Sequence, residues 1–117
     1  MITYNFTVQD KTYPCKLTMK SLVSLEKKMG VGIYNWLQSM SNAQQINMPF
    51  ISDVLLIFSE AIKSQNTSMS DADIDELINN YINEKPEERS LMNFLEIDME
   101  ILRVSGIIPK EKTNSKN

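Results

Sequence analysis

The stretch CKLTMKSLVSLEKKMGVGIYNWLQSM, residues 15–40, decides the fold because it holds a strand end, a helix and a helix stop in succession. The helix is predicted over residues 19–29, where leucines and a methionine recur at helical spacing. Thr18 or Ser21 can cap its start, and Gly30 lies where a helix commonly ends in the left-handed conformation. The stretch therefore predicts two separate helices that follow a strand.

A β-hairpin is predicted before this helix. Residues 2–9 alternate between apolar and polar side chains in β-favouring residue types, which is the period of a half-buried strand. A second alternation runs from Tyr13 to Met19. Asp10 and Lys11 lie between the two runs, and two residues are enough for a hairpin turn.

Four more helices are predicted downstream. A short one carries the apolar side chains of residues 33–40, and the next starts at the Asn-Met-Pro of residues 47–49 and runs to about Lys63. Ser70 begins the fourth helix, and the last covers about residues 87–104. These elements predict an α+β fold that is mostly α, with a two-stranded N-terminal β-hairpin packed on a bundle of about five helices.

One domain is expected over residues 1–106, because a chain of 117 residues has the size of a single domain. Residues 107–117 are polar after the first few positions, and they predict a flexible C-terminal tail or linker. The N-terminus has no secretory signal, and the longest apolar run, residues 54–58, is far too short to span a bilayer. We therefore expect a cytoplasmic protein.

Composition argues against the commonest kinds of catalytic and binding site. The chain has no histidine and one cysteine, so zinc sites and Ser-His or Cys-His catalysis are excluded. The net charge is −3, and Arg89 and Arg103 are the only arginines, whereas duplex nucleic acid demands a basic patch. We expect no enzyme activity, no cofactor, no nucleic-acid partner and no membrane partner.

One acidic motif resembles a calcium-binding loop at some positions but lacks residues that such a loop requires. Asp71, Asp73 and Asp75 match the first three ligand positions of an EF-hand loop. The sixth position, which needs glycine, is Glu76, and the twelfth, which needs glutamate, is Ile82. Acidic residues in the first turns of a helix, where the helix dipole favours negative charge, explain the motif better.

The last predicted helix carries two apolar stripes, which is more than a surface helix needs. One stripe holds Leu91, Met92, Leu95, Met99 and Leu102, and the other holds Phe94, Ile97, Ile101 and Val104. The helix is either central and packed on both sides or docked on another protein through one stripe. We predict partner binding by the second stripe together with Leu56, which lies on an otherwise polar helix face. The methionines at 40, 48, 92 and 99 suit either an adaptable binding surface or core filling.

The arrangement as a whole resembles the small tail assembly chaperones of long-tailed (siphovirus-type) bacteriophages and the related gene-transfer-agent proteins. The matching features are a hairpin that leads into a helix ending in LEKKMG, a short helix with Trp36 and Leu37, and the acidic-capped SDADIDELI helix. The resemblance covers roughly residues 2–104 and rests on structural motifs, so it supplies no catalytic residues.

The resemblance implies a function in tail morphogenesis. Such chaperones bind the tape-measure protein, keep its long apolar helices soluble, help to recruit tail tube subunits, self-associate and are absent from the finished virion. Two alternatives remain at this point: a structural tail or completion subunit that is retained in the virion, and a host-directed phage adaptor or inhibitor. The resemblance also implies a longer form of the protein made by a programmed frameshift.

Overall fold

A two-stranded antiparallel hairpin opens the fold, and five helices follow it in a computed structural model that describes residues 2–40 and 48–110. The elements are β1 (Tyr4–Val8), β2 (Lys11–Cys15), α1 (Met19–Met29), α2 (Ile33–Met40), α3 (Ile51–Gln65), α4 (Asp71–Glu84) and α5 (Asn93–Val104). The predicted fold class is therefore confirmed. None of these helices combines the length and the apolar character that crossing a bilayer requires.

The hairpin turn lies one residue earlier than the sequence predicted. Val8 pairs with Lys11, so the turn residues are Gln9 and Asp10 rather than Asp10 and Lys11. Both have positive φ, 52° and 64°, which is the signature of a two-residue turn whose twist matches the strands. The turn is tied to α4 because the Gln9 amide donates to the Glu84 carboxylate.

Two of the predicted helix starts have complete capping boxes. Thr18 caps α1, its hydroxyl accepting from the Ser21 amide at 3.1 Å, and the Ser21 hydroxyl accepts from the Thr18 amide at 2.7 Å. Ser70 and Asp73 bond in the same reciprocal way at the start of α4. Gly30 ends α1 with φ of 75°, as predicted.

The starts of α3 and α5 differ from the prediction. α3 begins at Ile51, after Pro49, because the extended backbone of Phe50 forms the N-cap; the predicted start at Asn47 lies outside the described residues. α5 begins at Asn93 rather than near residue 87. Residues 85–89 form a separate turn. The chain then enters α5 at Ser90, whose amide donates to the Asn93 side chain at 2.7 Å.

The core lies between α3, the hairpin and α5. α3 packs against β2, α1 and α5, and β1 packs against α4 and α5. Aromatic rings fill the centre, with the Phe6 and Phe58 centroids 4.9 Å apart and the Phe58 and Phe94 centroids 5.0 Å apart. The Lys16 amide donates to the Ala61 carbonyl at 3.1 Å and fixes the exit of the hairpin on α3.

The packed part of the chain extends slightly beyond residue 106. Gly106 turns the chain with φ of 78°, and the Ile107 amide then donates to the Leu102 carbonyl at 2.9 Å. Ile107 and Ile108 are half-buried against the core. The predicted tail or linker thus begins with residues that belong to the packed domain, and residues 111–117 lie outside the described part of the chain.

Candidate functional site

Three residues of the stripe that was predicted to bind a partner, Phe94, Ile97 and Ile101, lie in the core of this structure and are not free to contact a partner. Phe94 and Ile101 are 0% exposed and Ile97 is 6% exposed, because this face of α5 packs against α3 and β1. Val104 is half-buried, and Leu56 is half-buried against the core. The structure does not bring these five residues together as a free surface.

The other stripe of α5 contributes the exposed apolar surface. Leu91 and Met92 are exposed at its start, with Met92 52% accessible. Beside them lie the residues that precede and begin α3, where Met48 and Ile51 are exposed and Phe50 is 78% accessible. The rest of this stripe packs inward, because Leu102 is fully buried and Leu95 and Met99 are half-buried against the core, so α5 is covered on both sides and the exposed members of the stripe are the two that precede the helix.

These side chains border an apolar groove of about 190 Å³ between the starts of α3 and α5. The groove is lined by Met48, Pro49, Ile51, Val54, Leu91, Met92 and Leu95. Val54 is buried and forms part of the hydrophobic core, and among the described residues no charged or hydroxyl-bearing side chain takes part in the lining. The described lining is therefore suited to apolar groups.

The wall that carries Leu91 and Met92 is held in place by Arg89. The Arg89 guanidinium donates to the Tyr81 carbonyl at 2.9 Å and to the Glu84 carboxylate at 3.1 Å. It also lies 4.0 Å from the centroid of the Tyr81 ring, within cation–π range. After this anchor the Met92 amide donates to the Ser90 hydroxyl at 3.3 Å, so the chain turns with Leu91 and Met92 directed outward.

Helix capping supplies the signal that the sequence analysis missed. α1 and α4 start on hydroxyl side chains that complete capping boxes, whereas Phe50, at the start of α3, makes no side-chain cap. At the entry to α5 the backbone of Met92 is already helical, and Ser90 serves as the cap, because its hydroxyl accepts from the Met92 amide and its amide donates to the Asn93 side chain. Phenylalanine at an N-cap forgoes roughly 1 kcal/mol of helix stability relative to a capping residue. Exposed apolar residues at positions where polar ones would stabilise the fold indicate a binding surface.

A larger and more open hollow of about 460 Å³ lies on the other side of α5, beside Tyr4, Tyr81, Glu96 and Glu100. Burial, with Tyr81 adding to it, raises the pKa of Tyr4 to about 12, so its phenol stays protonated and is a poor base. Arg103, which also borders the hollow, is paired with Glu100. Among residues 2–40 and 48–110, no group of acidic or cysteine side chains is arranged to hold a metal ion.

Two ionisable groups lie inside the core, away from either hollow. Asp98 is fully buried, and neither of its carboxyl oxygens has a hydrogen-bond partner among the described residues. Burial raises the pKa of Asp98 well above its ordinary value. Cys15 is also fully buried, and burial raises the pKa of its thiol to about 12. Both groups are closed to substrate, so they are not candidates for catalysis.

Comparison with protein-family models, curated proteins and solved structures finds no match for this chain. The groove between α3 and α5, which we call the α3–α5 groove, is therefore the candidate functional site on its own geometry.

Proposed function

We propose that this protein is a tail assembly chaperone of a long-tailed bacteriophage, which binds apolar helical segments of the tape-measure protein during tail morphogenesis. The observation that carries the proposal is the α3–α5 groove, an apolar surface on a small domain, with an exposed phenylalanine, Phe50, at the N-cap of α3 and an exposed Met92 at the entry to α5. The resemblance of residues 2–104 to such chaperones supplies the identity of the partner.

The proposal includes the rest of that role. The protein recruits tail tube subunits as a second partner, self-associates along the tape-measure chain and acts in the host cytoplasm without enzymatic activity, nucleic acid or a membrane. The groove supports a reversible role, because its volume of about 190 Å³ holds only a few side chains at a time. A small contact of this kind releases its partner more readily than a large obligate interface does.

Co-expression with the tape-measure protein of the same phage tests the proposal. We expect the tape-measure protein to stay in solution with the unsubstituted chain and to precipitate with Met92→Asp, because a carboxylate at the groove wall would have to be desolvated on binding. Val23→Asp is the matched control, since Val23 is 51% exposed on α1 and does not line the groove. Precipitation with all three chains would contradict the proposal.

The composition of purified virions separates the chaperone from a retained tail subunit. A chaperone is lost when the tube replaces it, so mass spectrometry of purified particles should detect the tube and tape-measure proteins without this chain. A stoichiometric amount of this chain in the particles would replace the proposed function with that of a structural subunit.

A further inference from the structure

A second hollow with an apolar lining lies between α3 and α4, and we call it the α3–α4 groove. Its volume is about 230 Å³, and it is lined by Ser52, Leu55, Leu56, Ser59, Asp71, Ile74, Asp75 and Ile78. Half of these residues come from each helix, and both sets recur at the spacing i, i+3, i+4 and i+7. That spacing marks one face of a helix over two turns, so each helix presents a continuous face to the groove.

The α3–α4 groove exists because its two helices are held by other elements. α3 packs on β2, α1 and α5, and α4 packs on β1, but α3 and α4, both fully described, do not pack closely on each other. Ile74 and Ile78 are buried on the α4 side of the groove, and Leu55 and Leu56 are half-buried on the α3 side. Leu56, the leucine on an otherwise polar face, thus lines an apolar surface that the described residues leave uncovered.

The α4 side of this groove is acidic. Asp71 is paired with Lys63 of α3, whereas Asp75 is exposed and makes no ion pair or hydrogen bond among the described residues. Asp75 lies in the second turn of α4, where the helix dipole no longer favours a carboxylate. Ser52 and Ser59 on the α3 side are neutral, and no basic side chain is among the described residues that line the groove.

From this lining we infer that the α3–α4 groove binds an amphipathic helix of another protein, whose apolar stripe carries lysine or arginine on the side that faces α4. A helix laid between two others meets side chains of this spacing from both of them, which is how grooves between helices bind helical partners. A basic side chain beside the stripe would lie against Asp75, so it would complement the carboxylate and disfavour acidic helices.

The inference goes beyond the proposed function, because the α3–α4 groove and the α3–α5 groove share no lining residue. It therefore adds a second contact for a partner and the chemical class of the segment that makes it. The volume of about 230 Å³ is below that of the usual small-molecule pocket, but it holds a few side chains of a helix.

Helix α1 of a second copy is the competing occupant. It exposes Met19 and Val23, and Lys20 and Lys27 are exposed on the same helix. The two exposed apolar side chains are four residues apart and span one turn, whereas the groove extends over two turns of each helix. A partner helix with a longer apolar stripe fills the groove better, and the test must detect self-association as a separate outcome.

Synthetic helical peptides test the inference. Two labelled peptides of about five turns share one leucine stripe, which is flanked by lysine in one and by glutamate in the other, and a third is the lysine peptide with its leucines scrambled. Fluorescence anisotropy with the full chain measures each Kd at low and at high salt. We expect the lysine peptide to bind about twofold to fivefold tighter than the glutamate peptide, with the difference shrinking as salt rises. The scrambled peptide should bind weakly at both salt concentrations.

Charge reversal in the groove should change this preference. In Asp75→Lys the advantage of the lysine peptide should disappear or invert, and Asp75 is exposed, so the fold should tolerate the change. Glu76→Lys is the matched control, because it makes the same change in net charge at an exposed neighbour that does not line the groove. Met92→Asp is a second control, because it alters the α3–α5 groove and should leave the preference unchanged.

The outcomes separate this inference from the proposed function. Equal binding of the lysine and glutamate peptides, or an equal loss of preference in Asp75→Lys and Glu76→Lys, would overturn the inference. Loss of the preference in Met92→Asp would place the peptide in the α3–α5 groove, which would overturn the inference and leave the proposed function intact. Binding of the scrambled peptide as tightly as the lysine peptide would reduce the site to a charge effect and would also overturn it.

Sedimentation detects the competing occupant. The inference is wrong if neither leucine-stripe peptide binds. If Asp75→Lys and Val23→Asp then each lower the mass of the chain in sedimentation, the groove is a contact between copies.

Discussion

Asp98 is the residue that fits the core least well. Its carboxyl group is fully buried on α5 among core residues such as Phe94 and Ile101, and its oxygens have no hydrogen-bond partner among the described residues. An unpaired polar group in such a place costs about 1–3 kcal/mol, and an ionised one costs more. The carboxyl group avoids the larger cost by staying protonated, which is why burial raises the pKa of Asp98.

Asp98 makes stability depend on pH in a direction opposite to that of most carboxylates. The folded state holds the Asp98 proton to a higher pH than the unfolded state, whose carboxyl pKa is near 3.8. The contribution of Asp98 to the free energy of unfolding is therefore fully present below that pH, and this contribution is lost as pH rises through the folded pKa. The loss is at most about 1.4 kcal/mol per pH unit for one proton.

Asp98→Asn should remove this dependence. We expect the variant to gain stability relative to the unsubstituted chain as pH rises above 3.8. Asp71 and Asp73, whose pKa values are lowered by Lys63 and by the Ser70 amide respectively, contribute the opposite slope but cancel in the comparison. Urea denaturation at several pH values measures the difference, and Glu96→Gln, exposed on the same helix, is the control. Parallel pH profiles for Asp98→Asn and the unsubstituted chain would show that Asp98 is ionised or solvated in the folded state.

At the scale of the elements, α5 shows what periodicity can and cannot decide. Its pattern correctly predicts an apolar surface on two sides, because Phe94, Ile97 and Ile101 recur at helical spacing. Periodicity does not say how deeply each stripe is buried, since that depends on the position of α3 and β1 against the helix. The hairpin, the α1 and α4 caps and the Gly30 stop were predictable because each is fixed by residues close together in sequence.

The buried face of α5 can be tested by charge. Ile97→Asp/Ile101→Asp should unfold the protein, because each substitution places an unpaired charge in the core at a cost of several kcal/mol. Met92→Asp, on the exposed side of the same region, should melt close to the unsubstituted chain. Circular dichroism melts compare the two. A double variant that stays folded would restore this stripe as a surface available to partners.

Phe50, at the start of α3, is expected to affect both the stability of the fold and the binding of a partner. Phe50 occupies the N-cap with extended backbone and no side-chain cap, and its side chain is exposed, between Pro49 and Ile51, which line the groove. Phe50→Asp should raise the free energy of unfolding by about 1 kcal/mol, because a carboxylate there can accept from the free amides of the first turn. The same variant should keep less of the tape-measure protein in solution on co-expression than the unsubstituted chain does, because it replaces an exposed apolar side chain next to the groove residues Pro49 and Ile51 with a carboxylate.

Phe50→Ala is the control, because Phe50→Asp is expected to raise stability and to weaken binding at the same time. It removes the apolar side chain without supplying a cap, so it should weaken binding and leave stability nearly unchanged. Urea denaturation measures the stability of each variant, and co-expression with the tape-measure protein measures its binding. If Phe50→Asp is less stable than Phe50→Ala, the phenylalanine contributes packing that outweighs the cap, and the argument from capping fails.

At the scale of the whole molecule, the elements divide into a framework and an edge. α3 carries the framework, since it contacts β2, α1 and α5, and the aromatic rings of Phe6, Phe58 and Phe94 fill its centre. The groove is formed where the starts of α3 and α5 project beyond this packing. Such a layout lets the surface of the groove change without loss of the core, which suits a domain whose role is to hold another protein.

A domain that assembles no metal site among its described residues should not respond to calcium, zinc or Mg-ATP. The Asp71–Asp75 motif is explained locally, because Asp73 completes the Ser70 capping box and Asp71 pairs with Lys63. No group of potential metal ligands is assembled among the described residues, and the sequence has no phosphate-binding loop. We therefore expect calcium, zinc and Mg-ATP each to leave the Tm unchanged in a thermal shift assay. A ligand present at 100 times its Kd would stabilise the fold by about 2.7 kcal/mol, so binding would appear as a rise of several degrees. A rise of that size with any of the three would contradict the assignment of this chain to a role based on protein contacts alone.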